Sequence, residues 1–339
     1  MSPWPLLVLL LERGRKNQDQ VHRQGPQGGG ALSLRCIFLL ALALSASFLC
    51  GCISSDELAS SKETDRGVSL VASTVPLGHF SKMVGGDRVQ VDVLVPPGTN
   101  PHTFEPSPSK LVKVENADIY VKNGAGLEIW MDRIMRANED MLVVDSSSGV
   151  DLIESTDAGD HDHDVNLGDH GVHEDILTAD PHIWLSPQNA MIIVDNICDG
   201  LIEVDPENAD IYRKNRDDYL DELAELDRDL NSTFSEMDRK EFIVLHPSWG
   251  YFARDYGLVQ VAILEEEKEP GPRYLAEIVE VAREKNLTTI FVDKNFNPKS
   301  AEIIAEEIDG RVVPLDPLAE DYAANMRHVG QEIAESLKG

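Results

Sequence analysis

Residues 205–237 read DPENADIYRKNRDDYLDELAELDRDLNSTFSEM. Asp205-Pro206-Glu207 is a helix start: an aspartate able to cap, a proline in the first turn, and an acid near the positive end of the helix dipole. Behind it Tyr212, Tyr219, Leu223, Leu226, Leu230 and Phe234 recur three, four or seven apart, which puts them on one stripe of a helix. The pattern predicts a helix over Pro206–Met237, about 45 Å long at about 1.5 Å per residue. One small domain does not need that length. The expectation is a rigid rod joining two lobes, the other reading being an ordinary long surface helix.

Both flanks of the rod read alike. Before it, Val68–Thr74, Val89–Val95, Ile119–Val121 and Met141–Val144 are short β-branched runs. They alternate with amphipathic stretches at Leu77–Gly85, Pro108–Asn116 and Leu127–Asn138. After it, strands are expected at Phe242–Leu245, Val259–Ile263, Thr289–Val292 and Val312–Leu315. The helices between and after them are Tyr251–Tyr256, Arg273–Lys285, Lys299–Ile308 and Asp321–Leu337. Strand–helix alternation predicts α/β units around parallel sheets. The fold class is therefore α/β: two similar lobes, one long helix between them, and a ligand cleft at the carboxyl ends of the strands.

The ends of the chain refine this division. Arg35 precedes an apolar run, Cys36–Leu49, which is too short for a comfortable membrane span and fits a secretory signal. It ends in Leu49-Cys50-Gly51-Cys52, a lipobox-like sequence that would make Cys52 the lipid-modified residue; an uncleaved signal anchor is the other reading. The Gly- and Gln-rich text before Leu32 belongs to no ordinary signal peptide and predicts a later start of translation. The divisions are a leader, signal and lipobox (1–52), a polar tether (53–67), a first lobe (68–204), a linking helix (205–238) and a second lobe (239–339).

Composition excludes some functions. Among 339 residues, 30 Lys and Arg face 60 Asp and Glu, a net charge of −30 that argues against nucleic-acid binding. Of four cysteines only Cys198 lies in the body of the chain, so no disulfide framework exists there, and its apolar helical setting predicts an inert buried thiol.

One histidine and one acid sit at the carboxyl ends of strands, where such folds bind ligands, and two further histidines are held by proline. His246 follows Phe242-Ile243-Val244-Leu245, and Asp316 follows Val312-Val313-Pro314-Leu315. His102 ends the loop Pro96-Pro97-Gly98-Thr99-Asn100-Pro101, and His182 lies in Asp180-Pro181-His182-Ile183-Trp184. Proline lowers the entropy lost in holding such segments. Taken singly, a histidine after a strand is more often structural than a ligand. A different stretch, 155–175, carries His161, His163, His170 and His173 among aspartates with almost no apolar residue, and reads as a surface loop.

Four words come in order: Pro101-His102-Thr103-Phe104-Glu105, Asp180-Pro181-His182-Ile183-Trp184, His246-Pro247-Ser248-Trp249-Gly250-Tyr251-Phe252 and Leu315-Asp316-Pro317-Leu318. From about Val68 onward the chain resembles the zinc/manganese solute-binding proteins of ABC transporters, which include periplasmic zinc-uptake proteins and adhesin lipoproteins. The resemblance implies that His102, His182, His246 and Asp316 bind the metal. It also implies a metal site in the inter-lobe cleft. A histidine at 246, where manganese-preferring members commonly carry glutamate, implies Zn2+ as the transported ion, with Mn2+ as the alternative. Three imidazoles and a carboxylate suit zinc. The acidic histidine loop is a feature of zinc members; here it is read either as an auxiliary weak metal loop or as a solvated linker. Some zinc members carry a disulfide in the second lobe, which this chain cannot form.

Glu105 is a candidate to accept an imidazole N–H from behind the metal, or a plain helix-start acid. Trp184 and Trp249 either shield the site from water or fill the core. The implied protein is an exported monomer anchored to the outer face of the cytoplasmic membrane, with an ABC permease and its ATPase as partners. Two alternatives are an extracellular zinc buffer or adhesin and a zinc hydrolase. Four protein ligands would close the site to the water that a hydrolase needs, so no enzyme is expected.

Overall fold

Short apolar runs rich in Val and Ile form the strands of two parallel sheets. The computed structural model describes residues 67–154, 179–264 and 271–338. The first sheet contains β1 (Val68–Ala72), β2 (Val89–Val93), β3 (Ile119–Lys122) and β4 (Leu142–Asp145) in the order β2-β1-β3-β4. The second contains β5 (Glu241–Val244), β6 (Val259–Ala262), β7 (Thr289–Asp293) and β8 (Arg311–Leu315) in the order β6-β5-β7-β8. Every pairing is parallel. The two sheets repeat one topology, and in each the order reverses between the first and third strands. Such a reversal opens a crevice beyond the strands' carboxyl ends.

Nine helices are seen among the described residues: α1 (Val75–Gly85), α2 (Pro108–Glu115), α3 (Met131–Ala137), α4 (Pro187–Val204), α5 (Ala209–Ser235), α6 (Gly250–Asp255), α7 (Pro272–Lys285), α8 (Lys299–Glu307) and α9 (Tyr322–Lys338). The long helix is α5. Its 27 residues span about 40 Å. Tyr212, Tyr219, Leu223, Leu226, Leu230 and Phe234 are its buried residues, the six of the expected stripe. Burial of a large apolar side chain is worth roughly 1.5–3 kcal/mol, so this stripe fixes the helix against α1, α4 and α9. The contact with α9 is close: a Cβ at Gly330 would stand 2.3 Å from Leu230 Cδ2.

Three boundaries differ from expectation. The long helix opens with a 3-10 turn at Pro206–Asn208, and α begins at Ala209. Asp205 makes no side-chain cap there. Its Oδ2 instead accepts the Tyr212 hydroxyl at 2.6 Å and the Asn208 amide at 2.8 Å. Next, α3 begins at Met131 rather than Leu127, because Gly124, Ala125 and Gly126 are all left-handed (φ 76, 49 and 83°) and the chain needs a turn before it can coil. Finally, α4 is a full helix of 18 residues of which the sequence reading recognised only the apolar setting of Cys198. That thiol is buried and free. Among the described residues no helix is long and apolar enough to cross a membrane. Cys52 and the histidines at 161, 163, 170 and 173 lie outside the described residues.

Candidate metal centre

His102 is delivered by the loop after β2. Pro101–Thr103 forms one 3-10 turn, and the Asn100 side chain accepts the His102 backbone N–H at 2.9 Å. The short turn and its Asx-type bond fix the direction in which the imidazole leaves the backbone.

His182 belongs to the segment that returns after β4, where Glu154 and Ala179 form an isolated bridge. This segment is tied down from both lobes. In the first, Asn123 donates its amide to Pro181 O at 2.8 Å, and Glu128 holds that asparagine's loop by accepting the backbone N–H groups of Asn123 at 2.6 Å and Gly124 at 3.1 Å. In the second, the Tyr251 hydroxyl donates to Asp180 O at 2.8 Å, the Trp184 indole donates to Pro317 O at 2.7 Å, and the Tyr322 hydroxyl donates to Trp184 O at 2.9 Å. His246 lies two residues past the end of β5, and its ring stacks on Phe296 with centroids 4.5 Å apart.

The three imidazoles meet. His102 Nε2 lies 3.1 Å from His182 Nε2, and His246 Nε2 lies 3.3 Å from that same atom. One nitrogen from each ring falls within a sphere of mutual distances no greater than 4.8 Å. Nitrogens bound to one zinc at about 2.0–2.1 Å in tetrahedral array stand roughly 3.4 Å apart, so the observed spacing fits a shared ion. The enclosed space for a water-sized body is about 20 Å³, enough for one water or bare ion.

Electrostatics keep two of these rings, His102 and His246, neutral. Burial, reinforced by the neighbouring imidazoles, holds His246 down at about 2. Burial and the adjacent His182 hold His102 down at about 3. A neutral imidazole has the lone pair a metal requires.

Asp316 does not join the three-histidine group in this structure. Its Oδ2 lies 3.1 Å from Lys294 Nζ, and its Oδ1 accepts the Leu318 backbone N–H at 3.0 Å. Glu105 is also elsewhere. Its side chain is exposed and pairs with Arg133 at 3.2 Å. The cause is local: Phe104 turns inward onto Trp130, with ring centroids 5.2 Å apart, so the next residue of this extended stretch points out. Trp184 and Trp249 are both buried, and Trp184 lines the cavity beside His182.

Two carboxylates were not singled out by sequence reading. Asp180 Oδ1 lies 2.7 Å from His182 Nδ1 and accepts the His182 backbone N–H at 2.8 Å. Its place two residues before a candidate ligand was the available signal. Asp293, the last residue of β7, is buried and lines the same cavity as the imidazoles.

The chain has known relatives. A family model, zinc-uptake complex component A, periplasmic, matches residues 70–336. The chain belongs to this family. Its members are substrate-binding components of uptake systems rather than enzymes. The high-affinity zinc uptake system protein ZnuA of Bacillus subtilis is 32% identical over 286 residues, covering 83% of this chain and 88% of that protein. The zinc-binding lipoprotein AdcA of Streptococcus pneumoniae (strain R6) is 31% identical over 291 residues, covering 84% of this chain but 56% of AdcA. The chain thus spans little more than half of AdcA's length. Among solved structures, a crystal structure of ZnuA superposes with a TM-score of 0.74 at 38% identity, covering 80% of this chain and 99% of that one.

Proposed function

We propose that this protein captures Zn2+ outside the cytoplasm and passes it to the permease of an ABC importer, held at the outer face of the membrane by a lipid on Cys52. The observation that carries this reading is the convergence of three Nε2 atoms, two of them 3.1 and 3.3 Å from the third. Zinc is the cargo, favoured over Mn2+ because three nitrogen donors suit the softer ion. The relatives' names, high-affinity zinc uptake and zinc-binding lipoprotein, support the same choice.

In this reading His102, His182 and His246 bind the ion, and Asp316 is the fourth ligand. To reach it, Asp316 exchanges Lys294 for the metal, an exchange made cheap by the exposure of the lysine. The histidines at 161, 163, 170 and 173 supply weaker, auxiliary binding. First lobe, linking helix and second lobe keep the divisions 68–204, 205–238 and 239–339. Titration calorimetry on His182→Ala and His246→Ala tests the site: zinc affinity falls severely in both. Unchanged affinity in both variants overturns the assignment, and unchanged affinity in Asp316→Asn removes the fourth ligand alone.

A further inference from the structure

The order of the second sheet reverses between β5 and β7. In open parallel sheets the residues just past the carboxyl ends of such strands face the ligand. One of them is His246. Ile243 pairs with Ile290 and Val244 with Phe291. Carried forward, the same register sets His246 level with Asp293. The Asp293 side chain is 3% exposed and lines the cavity that holds the three imidazole rings. Its Oδ2 accepts a hydrogen bond from Ser248 Oγ at 3.0 Å. Among the described residues no lysine or arginine forms an ion pair with it; the neighbouring Lys294 turns to Asp316 instead.

A buried carboxylate without a cation is strongly unfavourable, and structures retain one where a cation arrives. Burial raises this carboxyl to about 6 in the metal-free protein, which agrees with a group waiting for positive charge. The imidazoles of His102 and His246 are neutral, and Asp316 must leave Lys294 before it reaches an ion, whereas Asp293 already lies in the cavity.

We propose that Asp293 is the charge-compensating residue of the metal centre: a carboxylate fixed inside the cavity, which favours a divalent cation through its negative charge while Ser248 holds its orientation. The proposal rests on the zinc-capture reading above. It adds a determinant of affinity inside the fold, distinct from the half-buried, lysine-paired Asp316.

The test is zinc titration of Asp293→Asn beside Ser248→Ala and the unaltered protein, with the melting temperature of each metal-free form. The asparagine keeps shape and the bond from Ser248 but removes the charge. Zinc affinity is expected to fall roughly 10–100-fold in Asp293→Asn, the usual cost of losing a supporting carboxylate. Its metal-free melting temperature should be equal or higher, since a buried charge is gone. Ser248→Ala should lose much less affinity. Wild-type affinity in Asp293→Asn overturns the proposal, as does an equal loss in both variants, which would make orientation rather than charge decisive. A lowered metal-free melting temperature in Asp293→Asn would make the residue structural and also overturns it. If the unaltered protein takes no zinc, the capture reading falls and this inference with it; if only Asp293→Asn is unaffected, this inference alone falls.

Discussion

The Nδ1 nitrogen of His182 lies 2.7 Å from Oδ1 of Asp180, and that oxygen also accepts the His182 backbone N–H. Together the two bonds orient the ring and place its proton on Nδ1, an assignment drawn from the bonding pattern. The lone pair of Nε2 is then left facing His102 and His246. Carboxylates behind metal-binding histidines do the same in many sites.

Asp180→Ala should therefore lower zinc affinity roughly 10–100-fold while the ligand nitrogens themselves remain. Competition with a chromogenic chelator measures this. Unaltered affinity would mean that the backbone ties from Asn123 and Tyr251 orient His182 without Asp180.

Metal choice should turn on residue 246. Its ring is one of three nitrogens, and a carboxylate there suits a harder ion. His246→Glu is expected to weaken zinc binding and to shift preference toward manganese in paired titrations. If the unaltered protein already prefers manganese, the three-nitrogen argument for zinc fails.

Acid should destabilise the metal-free fold through the same rings. Burial depresses His246 to about 2 and His102 to about 3, whereas the imidazoles of an unfolded chain titrate near 6.5. Above about pH 6.5 both states leave these rings neutral, and their contribution to stability is fully present. Below it the unfolded chain binds protons that the folded one refuses, so stability falls by roughly 1.4 kcal/mol per pH unit for each ring. Replacing His246 by glutamine removes one such ring. The stability of the unaltered protein relative to His246→Gln should drop by about 2 kcal/mol between pH 7 and pH 5, read from urea unfolding without metal. A difference that does not change with pH would contradict the depressed pKa.

Much of the fold was legible because its signals are periodic. The stripe from Tyr212 to Phe234 identified α5, and all six of its positions are buried. Continuous apolar runs such as Phe242-Ile243-Val244 marked parallel strands, which are covered on both faces. Less legible were features set by non-local contacts. Asp205 looked like a cap, yet its carboxylate serves Tyr212 and Asn208. Glu105 looked close enough to support an imidazole, yet the packing of Phe104 on Trp130 turns it outward. Within the site, His102, His182 and His246 stood out through the words around them. Asp293 was not singled out in the sequence, and only the pairing of β5 with β7 places it beside His246's position. That arrangement depends on strand order, which a list of strands does not contain.

The most direct measurement of the central claim is a crystal of the zinc-soaked protein with data collected on both sides of the zinc absorption edge. One strong anomalous peak is predicted at about 2.0–2.1 Å from Nε2 of His102, His182 and His246 together. A strongest peak bound elsewhere, or zinc-saturated protein with no peak within bonding distance of those three nitrogens, would contradict it.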